Sequence, residues 1–255
     1  MMLSEIDQRV QNLMWDIQKR TLQRMKESYD VDLKTSYKDL VTTVDKENEQ
    51  YLNQQLRKID PSAQIISEEG YGDRVKSLNG HVFIVDPIDG TMNFVMQHRN
   101  FAIMVALYVD GKPTYGYIMD VMNGELYHGG NGTGVFVNDR QINAPANNNL
   151  HDSLMVVNAG LTIDGGHNVR EVERQARGLR MYGSAGIEMI YVVTGRIGGY
   201  LSYLKPWDLA AGMVLAKELG LVVKGIDEQS VDVLSSNLVL VATKQVTDDV
   251  LELVN

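Results

Sequence analysis

VDPIDGTMNF, residues 85–94, sets two aspartates around a Pro-Ile pair and follows them at once with Gly-Thr. Asp, Pro and Gly each have a local backbone reason to occupy a turn. The setting adds more. In HVFIVDPIDG the first carboxylate, Asp86, closes an apolar run, Val82 to Val85, that has the composition of a buried strand. A tight turn here places Asp86 and Asp89 on the same side. Two carboxylates ~4 Å apart repel by ~4 kcal/mol at an effective dielectric of about 20, so the pair calls for a counter-charge. Hard oxygen ligands favour Mg2+, which keeps waters and binds through carboxylates plus substrate phosphate oxygens. Ile88 adds its backbone carbonyl as a further hard ligand. Gly90 lets a phosphate approach the backbone, and the Gly90 and Thr91 amides point at it if a helix begins there. The Thr91 hydroxyl is then placed to orient a water. The stretch reads as a metal and phosphate cradle.

The rest of the chain narrows the class of protein around that cradle. Its 255 residues allow one large or two small domains with a substantial core, and 44% hydrophobic with 22% charged residues is ordinary globular composition. A net charge of −9 argues against a general affinity for nucleic acid or anionic membrane. With no cysteine there is no disulfide, thiolate zinc site or cysteine nucleophile. The N-terminal MMLSEIDQRVQNLMWDIQKR has early acids and no continuous apolar core, unlike a signal peptide, and no run reaches the ~18 apolar residues of a spanning helix. A cytoplasmic protein is the expectation.

Leu3, Ile6, Val10, Leu13, Met14, Ile17 and Met25 recur at helical spacing, so a core-packed helix is predicted over 3–27. A second follows Asp45 through KENEQYLNQQLRKI and stops before Asp60-Pro61. Ile65 and Ile66 lead as a short strand into SEEG. From Phe101 to Ile142 the pattern is an antiparallel meander with turns at Asp110-Gly111, Asn123-Gly124 and Asn138-Asp139. GGNGTG within it lacks both the dinucleotide spacing and the Walker lysine, and reads as a hairpin. The polar stretch NAPANNNLHDS, 143–153, divides two subdomains, 1–145 and 146–255. Beyond it come a strand (SLMVVNA), helices near 168–178 and 184–195, a strand GGYLSYL, a helix from 207 to about 219, two more strands and a last short helix. An α+β or layered α/β/α body fits this order.

Acids stand at the ends of these elements: Glu68-Glu69 after a strand, Asp86 and Asp89 around the proline, Asp45 and Asp208 at helix starts. Asp45 and Asp208 also suit helix N-terminal dipoles, and Glu68-Glu69 suits a solvated loop. The scattered methionines suit adaptable packing, and the five histidines show no ligand spacing.

Several motifs in order carry a resemblance over nearly the whole chain: KTSYKDLVTTVD (34–45), ISEE (66–69), VDPIDGTMNF (85–94), GSA (183–185) and PWDLAAG (206–212). On these the chain resembles the inositol monophosphatase family of Mg2+-dependent, lithium-sensitive phosphatases. The resemblance implies a layered αβαβα sandwich, shared with the fructose-1,6-bisphosphatase type, and commonly a homodimer. It implies a first metal site of Glu68, Asp86 and the Ile88 carbonyl. A second takes Asp86, Asp89 and Asp208, and a weaker third ion uses Glu68 and waters. The nucleophile it implies is a metal-bound water assisted by Thr91 and Asp45, with Glu69 in a supporting role. Phosphate would sit on the metals and on the Gly90 and Thr91 amides, with substrate contacts from Asp89, Ala185 and Asp208. Phosphate-monoester hydrolysis is among the slowest uncatalysed reactions, so a site of charge and positioned amides suits it.

Three positions depart from the family pattern. Leu201 stands where inositol-specific members have an acid that accepts a substrate hydroxyl bond. Lys205 replaces a common histidine, and suits either an anionic group or an exposed helix start. Met92 replaces a frequent second threonine. Inositol 1-phosphate is the first substrate expected. Fructose 1,6-bisphosphate, NADP, 3′-phosphoadenosine 5′-phosphate or a broad range of monoesters are the alternatives. A silent metal- or phosphate-binding regulator is a remote one, against which the intact acid set argues.

Overall fold

The helical spacing at the N-terminus produces α1 (Leu3–Arg24), with Ile6, Val10, Leu13, Met14 and Ile17 buried along one stripe. The computed structural model describes residues 2–226 and 230–254. A small hairpin of β1 (Val31–Leu33) and β2 (Leu40–Thr42) leads into α2 (Thr43–Ile59), and then come β3 (Gln64–Ser67), β4 (His81–Asp89) and α3 (Thr91–Gln97). The meander follows as β5 (Ala102–Val109), β6 (Lys112–Asp120), β7 (Glu125–Gly129), β8 (Val135–Val137) and β9 (Arg140–Ile142). The GGNGTG stretch forms the β7–β8 hairpin. Past the polar connection lie β10 (Leu154–Val157), α4 (Ala159–Asp164), α5 (Val169–Gln175), β11 (Gly178–Arg180) and α6 (Ala185–Val193). The chain closes with β12 (Gly199–Leu204), α7 (Pro206–Glu218), β13 (Val222–Gly225), β14 (Asn237–Ala242) and α8 (Lys244–Val254).

The strands form a seven-stranded sheet in the order β3-β4-β5-β6-β7-β8-β9 and a five-stranded sheet in the order β11-β10-β12-β14-β13, beside the β1-β2 hairpin. Alternation along the buried strands sorts side chains between layers. Phe83, Val85, Ile103, Val105 and Leu107 join the stripe of α1 and Leu52 and Leu56 of α2 on one face. Val82, Ile84, Met104 and Ala106 face the other way, onto Ile187, Met189, Leu209 and Met213 of α6 and α7. The same cluster takes in Val156, Tyr200, Val239 and Val241 of the smaller sheet. That sheet's opposite face, with Met155, Val157, Leu201 and Leu240, is covered by Val169 and Val172 of α5 and Val246 and Val250 of α8. The layers run α1/α2, large sheet, α6/α7, small sheet, α5/α8. The Ala-Gly composition of α7 explains its close approach. A Cβ on Gly116 of β6 would lie 2.5 Å from the Ala211 carbonyl oxygen.

The tight turn expected at Asp86–Asp89 is replaced by a bulge within β4. Asp86 pairs with Met104 and Asp89 with Ala102, so the register slips between them. In a regular strand, residues three apart point to opposite faces. The extra residue restores the phase, so both carboxylates face the α6/α7 layer. Pro87 has no amide hydrogen to leave unpaired there. The helix ranges differ by a few residues from expectation (α1 ends at Arg24, α5 at Gln175), and the β1-β2 hairpin, α4 and β11 are additional.

Candidate active site

The bulge in β4 and the first turn of α7 bring Asp86, Asp89 and Asp208 together, with one carboxylate oxygen of each within 4.8 Å of the others. Pro206 at the start of α7 pre-sets the helical φ, and Asp208 caps the helix by accepting the Lys205 amide at 2.9 Å. Asp86 is 1% and Asp89 6% exposed. Asp89 is also tied to the start of α6. It accepts the Ser184 hydroxyl, the Ala185 amide at 3.0 Å and the Gly186 amide at 2.8 Å.

Enclosing this much like charge shifts every proton equilibrium. Burial, then the charges of Glu68, Asp89 and Asp208, hold the Asp86 carboxyl well above its ordinary range. Burial pushes Asp89 to about 6 against the bonds from Ser184, Gly186 and Ala185. Asp208 is pushed to about 7 by burial and by the Asp89 charge. Such a cluster favours a cation, and its all-oxygen donor set suits Mg2+.

Glu68 and Glu69 follow β3. The Lys34 ammonium, carried on the β1-β2 hairpin, lies 2.9 Å from Glu68 and 2.6 Å from Glu69. Burial pushes Glu69 to about 7 even with Lys34 opposing it. Burial alone would lower the Lys34 pKa, but the two glutamates outweigh it and raise it. Lys34 opens the KTSYKDLVTTVD motif, in which the sequence by itself gives it no role. Its signal, a lysine ahead of an acidic cluster, has meaning only once the hairpin folds over.

Asp45 and Thr91 meet as expected. The Thr91 hydroxyl lies 2.9 Å from Asp45 Oδ1 and 3.1 Å from the Ile88 carbonyl oxygen. Asp45 is also third in α2, and its other oxygen accepts the Thr42 amide and hydroxyl. The Asp45 carboxylate therefore caps α2 with one oxygen and meets Thr91 with the other. Burial raises its pKa against the bonds from Thr42 and Thr91. Gly90 precedes α3 with φ +88°, so the chain does start a helix at Thr91.

A cavity of about 310 Å³ opens beside Asp89 and Asp208, walled by Ser184, Glu188, Tyr200 and Ser202 among others. Ala185 also borders it, although its amide is committed to Asp89. Leu201 turns away into the outer core and is absent from this wall. The Lys205 ammonium stands 5.5 Å from the centre of the Trp207 ring. Sequence reasoning did not single out Ser184, Glu188 or Glu49. Ser184 had a readable signal, since a serine ahead of an apolar helix is an N-cap, and its hydroxyl does accept the Ile187 amide. Glu188 accepts the Tyr182 and Gly183 amides at 3.0 and 3.1 Å and so braces the turn leading to Ser184.

The layered αβαβα architecture encloses a carboxylate cluster at one strand end and one helix start, an all-oxygen arrangement suited to a divalent cation. A sequence profile described as the inositol monophosphatase family matches residues 2–255. The inositol-1-monophosphatase of Bacillus subtilis (strain 168) is 35% identical over 254 residues, covering 98% of this chain and 96% of its own length. The fructose-1,6-bisphosphatase/inositol-1-monophosphatase of Thermotoga maritima is 32% identical, over 88% of this chain and 86% of its own. A crystal structure of an IMPase/NADP phosphatase complexed with Mg2+ and phosphate superposes with a TM-score of 0.91 at 29% identity, covering 99% of this chain and 96% of that one. The chain belongs to the inositol monophosphatase family, and it is a phosphomonoester hydrolase.

Proposed function

We propose that this chain hydrolyses inositol 1-phosphate or a closely similar small phosphate monoester with Mg2+. The observation that carries this reading is the convergence of Asp86, Asp89 and Asp208 beside the Thr91–Asp45 pair. Glu68, Asp86 and the Ile88 carbonyl would hold a first ion, and Asp86, Asp89 and Asp208 a second. Glu68 would lend an oxygen to a weaker third. Bound divalent cations supply Lewis-acid charge to phosphate oxygens and lower the pKa of a water.

The chain's own groups do the remainder. Asp45, held by Thr42, orients the Thr91 hydroxyl and is the acceptor for a proton leaving the incoming water through Thr91. The Gly90 and Thr91 amides, at the start of α3, would receive the phosphate. Glu69, with its raised pKa, supports Glu68 and shares its ammonium partner. Asp89 and Asp208 border the cavity that takes the leaving alcohol, and Ala185 adds contact there. In this reading residues 1–145 provide most of the ligands, and residues 146–255 provide Asp208 and most of the cavity wall.

Leu201 offers no hydroxyl acceptor to the cavity, which favours a substrate range wider than inositol phosphates. The Thermotoga relative's fructose-1,6-bisphosphatase name and the NADP phosphatase description of the solved structure support two of the alternatives. The third is 3′-phosphoadenosine 5′-phosphate. A cytoplasmic homodimer sensitive to lithium completes the proposal. Among the described residues no helix is long and apolar enough to cross a membrane. The test is phosphate release from inositol 1-phosphate, fructose 1,6-bisphosphate, NADP and 3′-phosphoadenosine 5′-phosphate, with and without Mg2+ and lithium. One monoester turned over only with Mg2+, and inhibited by about tens of millimolar lithium, supports the proposal. Failure on all four under any metal overturns it.

A further inference from the structure

α2 turns a polar face inward, burying Asp45, Asn48, Glu49 and Asn53. Glu49 is completely enclosed, at 0% exposure. Removing a carboxylate from water is costly unless hydrogen bonds replace the lost hydration, so its partners show what the burial achieves. Glu49 Oε1 accepts the Ser67 hydroxyl and the Tyr71 amide, each at 2.7 Å, and Oε2 accepts the Glu69 amide at 2.6 Å. These donors are every second residue of the turn that leaves β3. Glu68 sits between the first two, and its own carboxylate stands apart from them, 2.9 Å from the Lys34 ammonium.

The turn has other marks of a fixed conformation. Gly70 adopts φ +88°, and a Cβ on Gly72 would lie 2.6 Å from the Ile65 carbonyl oxygen. Asn53 Nδ2 braces Ser67 Oγ at 3.3 Å. Without Glu49, two buried-side amides and a hydroxyl lose a shared acceptor, and nothing else in the set reaches all three. A carboxylate on a loose turn must be ordered when a cation arrives, whereas one on a splinted turn is already in place.

We propose that Glu49 is a positioning residue of the metal site. By gathering Ser67, Glu69 and Tyr71 onto one carboxylate it fixes where Glu68 stands, and so sets the affinity for the divalent cation that Glu68 ligates. This rests on the reading of Glu68 as a ligand. The role is exerted through Glu68, so it belongs to cation binding before turnover.

The test is cation affinity measured without substrate, by EPR titration of Mn2+ as an octahedral stand-in for Mg2+. Glu49→Gln keeps the shape but offers one accepting oxygen, and its NH2 faces an amide hydrogen. Its Mn2+ dissociation constant should rise about 10–100-fold, with kcat at saturating metal within a few-fold of wild type. Ser67→Ala removes one of the three donors and should raise the constant a few-fold. It carries the test if Glu49→Gln fails to fold. Arg57→Ala breaks the 2.9 Å bridge to Asp73 on the same segment and should lower Tm without moving the constant. If Glu49→Gln or Ser67→Ala melts lower yet binds Mn2+ like wild type, Glu49 is merely structural and the proposal is wrong. A wild type that binds no Mn2+ would sink the reading of Glu68, and this inference with it.

Discussion

Thr91 has one hydroxyl proton and two acceptors within reach, Asp45 Oδ1 and the Ile88 carbonyl. It can therefore hand its hydrogen bond to Asp45 and accept one from an incoming water. Thr91→Val keeps the shape and deletes this relay, so kcat should fall about 10²–10³-fold with KM nearly unchanged in steady-state assays. Thr91→Ser should retain most of the rate. Gly90 is sensitive for a different reason. Its φ of +88° is costly for an L side chain, and an added Cβ would lie 2.9 Å from Ser184 Cβ. The left-handed backbone alone costs about 1–2 kcal/mol. Gly90→Ala should lower Tm by about 3–8 °C in calorimetry. It should also cut activity, because Ser184 is one of the donors that hold Asp89.

At the scale of elements, α2 begins with a reciprocal cap. Thr42 Oγ1 accepts the Val44 and Asp45 amides while Asp45 accepts the Thr42 amide. Thr42→Ala should cost about 1 kcal/mol, seen as a Tm fall of about 2–4 °C, and should also reduce kcat because Asp45 loses a donor. The helices with one apolar stripe were readable because burial follows the 3.6-residue period, and α1 shows it plainly. The meander was readable from its Asp-Gly and Asn-Gly turns. The β1-β2 hairpin was not, since Val31, Leu33 and Tyr37 are exposed and leave no alternation to find. The β4 bulge was hidden for another reason. Alternation alone assigns Asp86 and Asp89 to opposite faces, and only pairing with β5 restores them to one. The acids that the fold gathers, Asp86, Asp89 and Asp208, could be named from the sequence. What holds them could not: Ser184 reaches Asp89 across 95 residues, and Glu49 reaches Ser67 across 18.

For the whole molecule, enclosing many acids makes stability depend on pH and metal together. Asp89 has its pKa raised to about 6, while Asp208, Glu69 and Glu188 have theirs raised to about 7. A carboxyl whose folded pKa exceeds its unfolded value binds protons more tightly when folded, so stability rises as pH falls through the folded value. Asp60, Asp73 and Glu47 are shifted downward and work the opposite way, at pH below about 4. Metal-free protein should therefore gain Tm between pH 8 and pH 5.5. Mg2+ should raise Tm more at pH 8 than at pH 5.5, since protons and cation compete for the same oxygens. Differential scanning calorimetry at both pH values with and without Mg2+ reads this directly. A metal-free Tm that falls over that interval would show that the cluster is not under charge strain.

The most direct test of the metal-phosphatase reading is inorganic phosphate release from inositol 1-phosphate as Mg2+ is titrated from zero, for wild type and Asp89→Asn. The cluster predicts no turnover without the cation, saturable activation by it, and loss of about 10³-fold or more in the variant with the fold intact by circular dichroism. Turnover by wild type that is indifferent to Mg2+ and to chelator, or an Asp89→Asn variant with full activity, would contradict it.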